Sequence, residues 1–123
     1  MAWEVEFTDE FEEWWNTLTE DQQEDVDASV RVLESAGPIL KEPLSKVIES
    51  SRHHPHMKEL RVSTEGGNRL RIFYAFDPRR AAILLIGGDK TGQWQEFYEE
   101  YIPVADDLYD EHLKAVRKEQ GDT

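Results

Sequence analysis

The stretch ELRVSTEGGNRLRIFYAFDPRRAAILLIGGDK, residues 59–90, carries the strongest strand signals of the chain and most of its arginines. In Arg69-Leu70-Arg71-Ile72-Phe73-Tyr74-Ala75-Phe76 successive side chains of a strand alternate between faces, so Leu70, Ile72, Tyr74 and Phe76 share one face and Arg69, Arg71 and Phe73 the other. On the run before it, Leu60 and Val62 face the core, which puts Glu59, Arg61 and Ser63 on the arginine side. Glu65-Gly66-Gly67-Asn68 and Asp77-Pro78-Arg79-Arg80 are turn sequences. The runs Met57–Ser63, Arg69–Phe76 and Ala81–Gly87 therefore form an antiparallel meander. The third run, apolar throughout, is expected to be central and covered on both faces.

Working outward, Trp3, Val5 and Phe7 alternate with polar residues, which predicts a first strand over residues 2–7. Thr8 reads as an N-cap ahead of a helix carrying Phe11, Trp14, Trp15 and Leu18. Thr19 with Gln22 is a capping-box pattern for a second helix, bearing Val26, Val30 and Leu33 and ended by Gly37-Pro38. Residues 38–55 read as a loop, with one helical turn around Ser45 to Ile48. A last helix is expected from about Trp94, interrupted or restarted at Pro103, to about Arg117. The order β-α-α-β-β-β-α predicts one α+β domain over residues 1–123: an antiparallel twisted sheet with two N-terminal helices and a C-terminal helix, all packed on one face.

On that reading Arg61, Arg69 and Arg71 converge on the sheet face turned away from the helices, and Lys90, after a Gly87-Gly88 turn, reaches over it. Charge is segregated along the chain. Its net charge is -13, yet residues 51–93 hold 8 basic and 4 acidic groups, while residues 1–50 hold 3 basic and 14 acidic. Like charges on adjacent strands repel, and planar guanidinium forks suit phosphate oxygens, so a phosphate-bearing ligand is the natural counterpart; the plainer alternative is that Glu59 pairs with Arg61 or Arg69.

Other chemistry finds less support. His53, His54 and His56 lack zinc-site spacing and sit in a polar loop. The Gly-Gly pairs form no nucleotide-binding fingerprint, and Asp89 reads as a turn carboxylate. With no cysteine, the chain has neither a disulfide framework nor thiol chemistry. The N-terminus has no signal-peptide pattern, and no apolar run approaches the roughly 20 residues that span a bilayer. A cytoplasmic protein without membrane contact is expected.

The stretches MKELR, RLRIFYAFDPRRAAILLIGGDKTG and IPVADDLYDEHL resemble the phage-derived branch of RelE/HigB-type toxins of type II toxin–antitoxin systems. The likeness runs over about residues 1–116 in element order. It implies a RelE-like microbial RNase fold and a metal-independent, cofactor-free endoribonuclease that cleaves mRNA on the ribosome. It also implies a cognate antitoxin of helix-turn-helix type, through which alone the toxin would meet DNA. Carried over by position, Arg71, Arg61 and Lys90 are the expected catalytic cations; Arg69, Phe73, Arg80 and His54 are the expected substrate-binding residues. Two departures stand out: such toxins are usually basic, and the tandem lysines of RelE have no counterpart. The alternative is a catalytically silent RelE-like binding module whose acidic helices dock a basic protein.

Overall fold

The computed structural model describes residues 2–121. Strand β1 (Val5–Phe7) leads into α1 (Asp9–Trp15) and α2 (Glu20–Ala36). A short 3-10 turn (Gly37–Ile39) leads on to β2 (Ser45–Val47), β3 (Lys58–Ser63), β4 (Arg69–Phe76), β5 (Ala82–Asp89) and α3 (Trp94–Glu119). Among the described residues five strands form one sheet in the order β1-β5-β4-β3-β2. The helix starts fall where the sequence places them. Thr8 accepts from the Phe11 amide at 3.0 Å, and Thr19 and Gln22 form the reciprocal capping box.

Four expectations need correction. The sheet is mixed: hairpins make β2 to β5 antiparallel, but β1 runs parallel to β5, with Val5 opposite Ala82. No hairpin constrains β1, because the chain leaves it for two helices before returning. Ser45 to Val47 form an edge strand on β3 in place of a loop or helical turn; three residues are too few to show a period. Helix α3 passes through Pro103 unbroken. Pro103 and Glu99, whose carbonyl loses its intrahelical partner, both lie on the exposed side, where water can serve that carbonyl.

The fourth correction concerns the arginine face, which is covered. One core packs Leu60, Val62, Leu70, Ile72 and Tyr74 against α1 and α2. A second packs Phe73, Ala75, Ile83 and Leu85 against Phe97, Ala105, Leu108 and Tyr109 of α3. The sheet is thus sandwiched between α1/α2 and α3, as an apolar β5 demands. Gly87 and Gly88, both inside β5 and not in a turn, allow the close approach on the two sides. A Cβ on Gly87 would stand 2.3 Å from the Trp14 ring, and one on Gly88 2.7 Å from Phe97 and Tyr101. No helix among the described residues is long and apolar enough to cross a membrane.

Candidate active site

The pairing of β3 with β4 puts Arg61 directly opposite Arg71, Ser63 opposite Arg69 and Glu59 opposite Phe73. The alternation thus brings the arginines together as expected, on the face that carries α3. Burial then changes their character. Arg71 is 7% exposed, Lys90 2% and Glu59 2%, whereas Arg69 is exposed at the rim. A cluster of three cations without an anion could not be buried cheaply. Glu59 supplies the anion.

The Glu59 carboxylate is the hub. Its Oε2 accepts from Arg61 Nε at 2.9 Å and lies 3.7 Å from Arg71 Nε, and its Oε1 accepts from the Tyr98 hydroxyl at 2.7 Å. Arg71 Nη1 donates to the Leu70 carbonyl at 2.9 Å, which fixes the plane of the guanidinium. Arg71 Nε is buried without a hydrogen-bond partner among the described residues. An unmet buried donor costs about 1–3 kcal/mol, so an arriving anionic oxygen would find a donor already desolvated.

Lys90 enters from the end of β5, where its amide donates to the Arg69 carbonyl at 3.0 Å and prolongs the ladder. Its ammonium lies 3.2 Å from the centre of the Trp94 ring and 5.5 Å from that of Tyr98. Burial, and next the charge of Arg71, draw its pKa down to about 8, against the pull of Glu59. Tyr98 moves the other way, up to about 12, through burial and through its hydrogen bond to Glu59. The phenol therefore stays protonated as a donor. Asp89 is a turn carboxylate: burial raises its pKa, but hydrogen bonds from Thr91 and Asn68 outweigh that and hold it low.

Three of the expected substrate contacts lie elsewhere. Phe73 is fully buried, its ring centre 6.0 Å from Phe97 and 6.4 Å from Tyr101, so it belongs to the core beneath the cluster and has no exposed surface. Arg80 sits in the β4–β5 turn, at the other end of β4 from Arg71, with φ of 69° and its guanidinium 5.0 Å from Trp3. His54 is exposed in the loop before β3; its neighbour His53 is the engaged one, bonded to Asp110 at 2.7 Å. Sequence reasoning missed Glu59, Tyr98 and Trp94 as site residues. For Glu59 the signal existed, since it shares the arginine face; the two aromatics read only as an apolar helix stripe. Among the described residues no group of three His, Asp or Glu side chains is placed to hold a metal ion.

Residues 13–110 match the family model described as Phage derived protein Gp49-like (DUF891). The chain belongs to the Gp49-like family. It is 45% identical over 100 residues to the proposed toxin HigB2 of Mycobacterium tuberculosis, covering 81% of this chain and 49% of that one. Against the proposed toxin HigB3 of the same organism the figures are 43% over 95 residues, 77% and 80%. The chain thus spans about half the length of the first of these relatives. Among solved structures, a double arginine-to-alanine mutant of E. coli toxin RelE in the free state superposes with a TM-score of 0.54. It covers 81% of this chain and 94% of its own at 16% identity, a likeness of fold alone. The resemblance to the phage-derived branch of RelE/HigB-type toxins is borne out, and with it the RelE-like α+β fold.

The ion-pair geometry makes Arg71 part of the fold as well as of the site. Arg71→Met is expected to cost about 1–3 kcal/mol, because Glu59 keeps its burial and its Arg61 bond and loses a second counter-charge. Glu59→Leu is expected to cost more, because Arg71 and Lys90 are then buried with no anion beside them. Urea unfolding of the two variants checks it; a loss below about 1 kcal/mol for Arg71→Met would show that the carboxylate does not depend on Arg71.

Proposed function

We propose that this Gp49-like chain is the toxin of a RelE/HigB-type toxin–antitoxin pair, a metal-independent endoribonuclease acting in the cytoplasm on mRNA at the ribosome. The observation that carries the reading is the pair of buried cations Arg71 and Lys90 beside the half-buried Arg61, with the unmet Arg71 Nε donor. The toxin-named relatives and the RelE-like fold support it. In such a cleavage the ribose 2′-oxygen attacks the adjacent phosphorus, the bond to the 5′-oxygen breaks, one proton leaves the 2′-hydroxyl and one reaches the departing oxygen. Negative charge grows on the non-bridging phosphate oxygens, and preformed cations in a dry site stabilise it. Arg61 and Arg71 are the forks for those oxygens, Lys90 adds a third positive charge, and Arg69 meets the RNA backbone at the rim. Glu59 positions the forks. Tyr98, kept protonated, is a donor and not the base.

The partner reading rests on the opposite face. Val5, Phe11, Trp15, Val30 and Leu84 line an apolar groove between β1 and the two N-terminal helices, with Glu12, Asp27 and Glu34 beside it. A helix-turn-helix antitoxin with a basic, apolar segment fits this surface. The binding-module alternative uses the same groove and leaves the cation cluster without a task.

Expression of the chain alone is expected to arrest bacterial growth and to leave cuts in translated mRNA, mapped by primer extension. Arg61→Ala, in which Arg71 still holds Glu59, is expected to slow cutting about tenfold to a hundredfold through loss of one charge-assisted contact. Normal growth with folded protein and intact transcripts would favour the binding module.

Lys90 gives two pH signatures of opposite sign. If the ammonium stabilises the transition state, cleavage falls as pH rises through about 8, well below the usual 10.5. Folding stability rises over the same window, from about 8 to 10.5, because there the unfolded chain holds a proton that the folded one has shed. Below about 8 both states are protonated and the full cost of burying the charge remains. Lys90→Arg is expected to remove both effects, since a guanidinium does not titrate there; a cleavage limb that survives it belongs to another group.

Antitoxin binding is expected to weaken as salt rises from about 50 to 500 mM, because exposed carboxylates are screened over that range. Titration calorimetry at the two salt concentrations is the check, and affinity unchanged between them contradicts a basic partner on α1 and α2.

A further inference from the structure

Trp94 is the one member of the α3 aromatic stripe that points away from the core. Phe97 and Tyr101 stack with Phe73 under the sheet, while Trp94 opens the helix with 62% of its surface exposed. It is not a stray surface residue, because the Lys90 ammonium rests 3.2 Å from its ring centre. One side of the indole is thereby tied to the cation cluster. The ring also borders a cleft of about 530 Å³, where Ser50, Gln95, Tyr98, Glu99, Ile102 and Pro103 complete the lining. That volume lies within the range of about 300–1,000 Å³ usual for small-molecule sites. Gln95 Nε2 donates to Glu99 Oε1 at 3.1 Å, so the polar edge of the cleft is itself organised.

We propose that Trp94 is a nucleobase platform: the base flanking the phosphate held by Arg61 and Arg71 stacks on the open side of the indole, with its polar edge toward Ser50, Gln95 and Glu99. The inference rests on the ribonuclease reading of the same site and extends it from the phosphate to the base. The spacing suits one nucleotide. With the ammonium 3.2 Å on one side of the ring and a base in contact at about 3.5 Å on the other, the base plane lies about 7 Å from Nζ. A phosphate attached to that base reaches round the ring edge to the cations. Base–aromatic stacking recurs in single-stranded RNA recognition because every base offers a π-face, and it suits an acidic protein that gains little from long-range attraction.

The test uses the full chain and short single-stranded RNAs made uncleavable by a 2′-deoxy residue at the attacked position, intact or with an abasic residue on one or the other side of it. Binding is measured by fluorescence anisotropy. Trp94→Ala is expected to weaken binding of the intact RNA about fivefold to a hundredfold, and Trp94→Phe much less. For one abasic position the wild type is expected to bind as weakly as Trp94→Ala binds the intact RNA, and Trp94→Ala is expected not to distinguish the two. Arg61→Ala is expected to weaken both RNAs alike. Trp94→Ala gives up the cation–π contact with Lys90, so it should stay folded and melt only a few degrees below the wild type. Equal affinity of the wild type for intact and abasic RNAs, or no effect of Trp94→Ala, overturns the platform. If Arg61→Ala still matters then, or if the chain cuts mRNA while binding neither RNA, the ribonuclease reading stands and the platform alone is rejected. Absence of both cleavage and arginine-dependent binding rejects the reading itself.

Discussion

A single buried carboxylate makes the positive face of this sheet possible. Arg61 and Arg71 are cross-strand neighbours with Lys90 beside them, and like charges so placed repel. Glu59 offsets this by taking the Arg61 fork on one oxygen, lying close to Arg71 with the same oxygen, and accepting from Tyr98 on the other. Its own desolvation costs several kcal/mol, which the ion pairs and the phenol hydrogen bond balance only while the geometry holds. The forks are therefore fixed before any ligand arrives. What remains unsatisfied is one donor, Arg71 Nε, at the centre of the cluster. Stability is given up at the point where an anion would restore it.

That arrangement needs α3 in one register, and polar contacts remote from the site supply it. Asp106, buried in α3, accepts from the Ser51 hydroxyl at 2.5 Å and the Arg52 amide at 3.0 Å, while Asp110 bonds Arg52 and His53. Further along, His112 meets Asp77 of the β4–β5 turn at 2.8 Å, and Arg79 ties the same carboxylate to Glu6. Burial raises the pKa of Asp77, but His112 and Arg79 more than reverse it, so the turn carries a stable anion. The loop before β3 and the turn after β4 thus grip the middle and the far part of α3. At the near end Gly88 lets Phe97 and Tyr101 lie against the strand. Tyr98 then has one place to go, over Glu59.

The sequence carried the facing of the strands because alternation has a period of two and the hairpin turns are short, which is why Arg61, Arg69 and Arg71 could be placed on one face of adjacent strands from residues alone. It also carried the caps at Thr8 and Thr19. It could not say which sheet face α3 would cover. A stripe at Trp94, Phe97, Tyr98 and Tyr101 shows that a helix has an apolar side and leaves its partner open. Phe73 was the clue: an aromatic amid arginines on a strand marks that face as partly core. Arg80 and His54 fell outside the cluster for a different reason. Turn and loop residues have no period, and their positions depend on local backbone, a positive φ at Arg80 and a bend anchored by His53.

Charge geography reconciles an acidic chain with an anionic substrate. The carboxylate-rich helices α1 and α2 pack on the sheet face opposite the cations, separated from them by the sheet, while α3 on the cation face carries carboxylates of its own, Glu99 among those beside the cleft. At physiological salt, exposed charges beyond roughly 8–10 Å of one another are largely screened, so the acidic side does little to cancel the field inside a desolvated site. It does suppress the long-range attraction by which basic proteins gather on any nucleic acid. Affinity must then come from contacts made at short range: forks on one phosphate, an ammonium beside it and an aromatic face for a base. An acidic exterior around a buried cationic site makes recognition depend on a correctly placed nucleotide and leaves bulk RNA without a foothold.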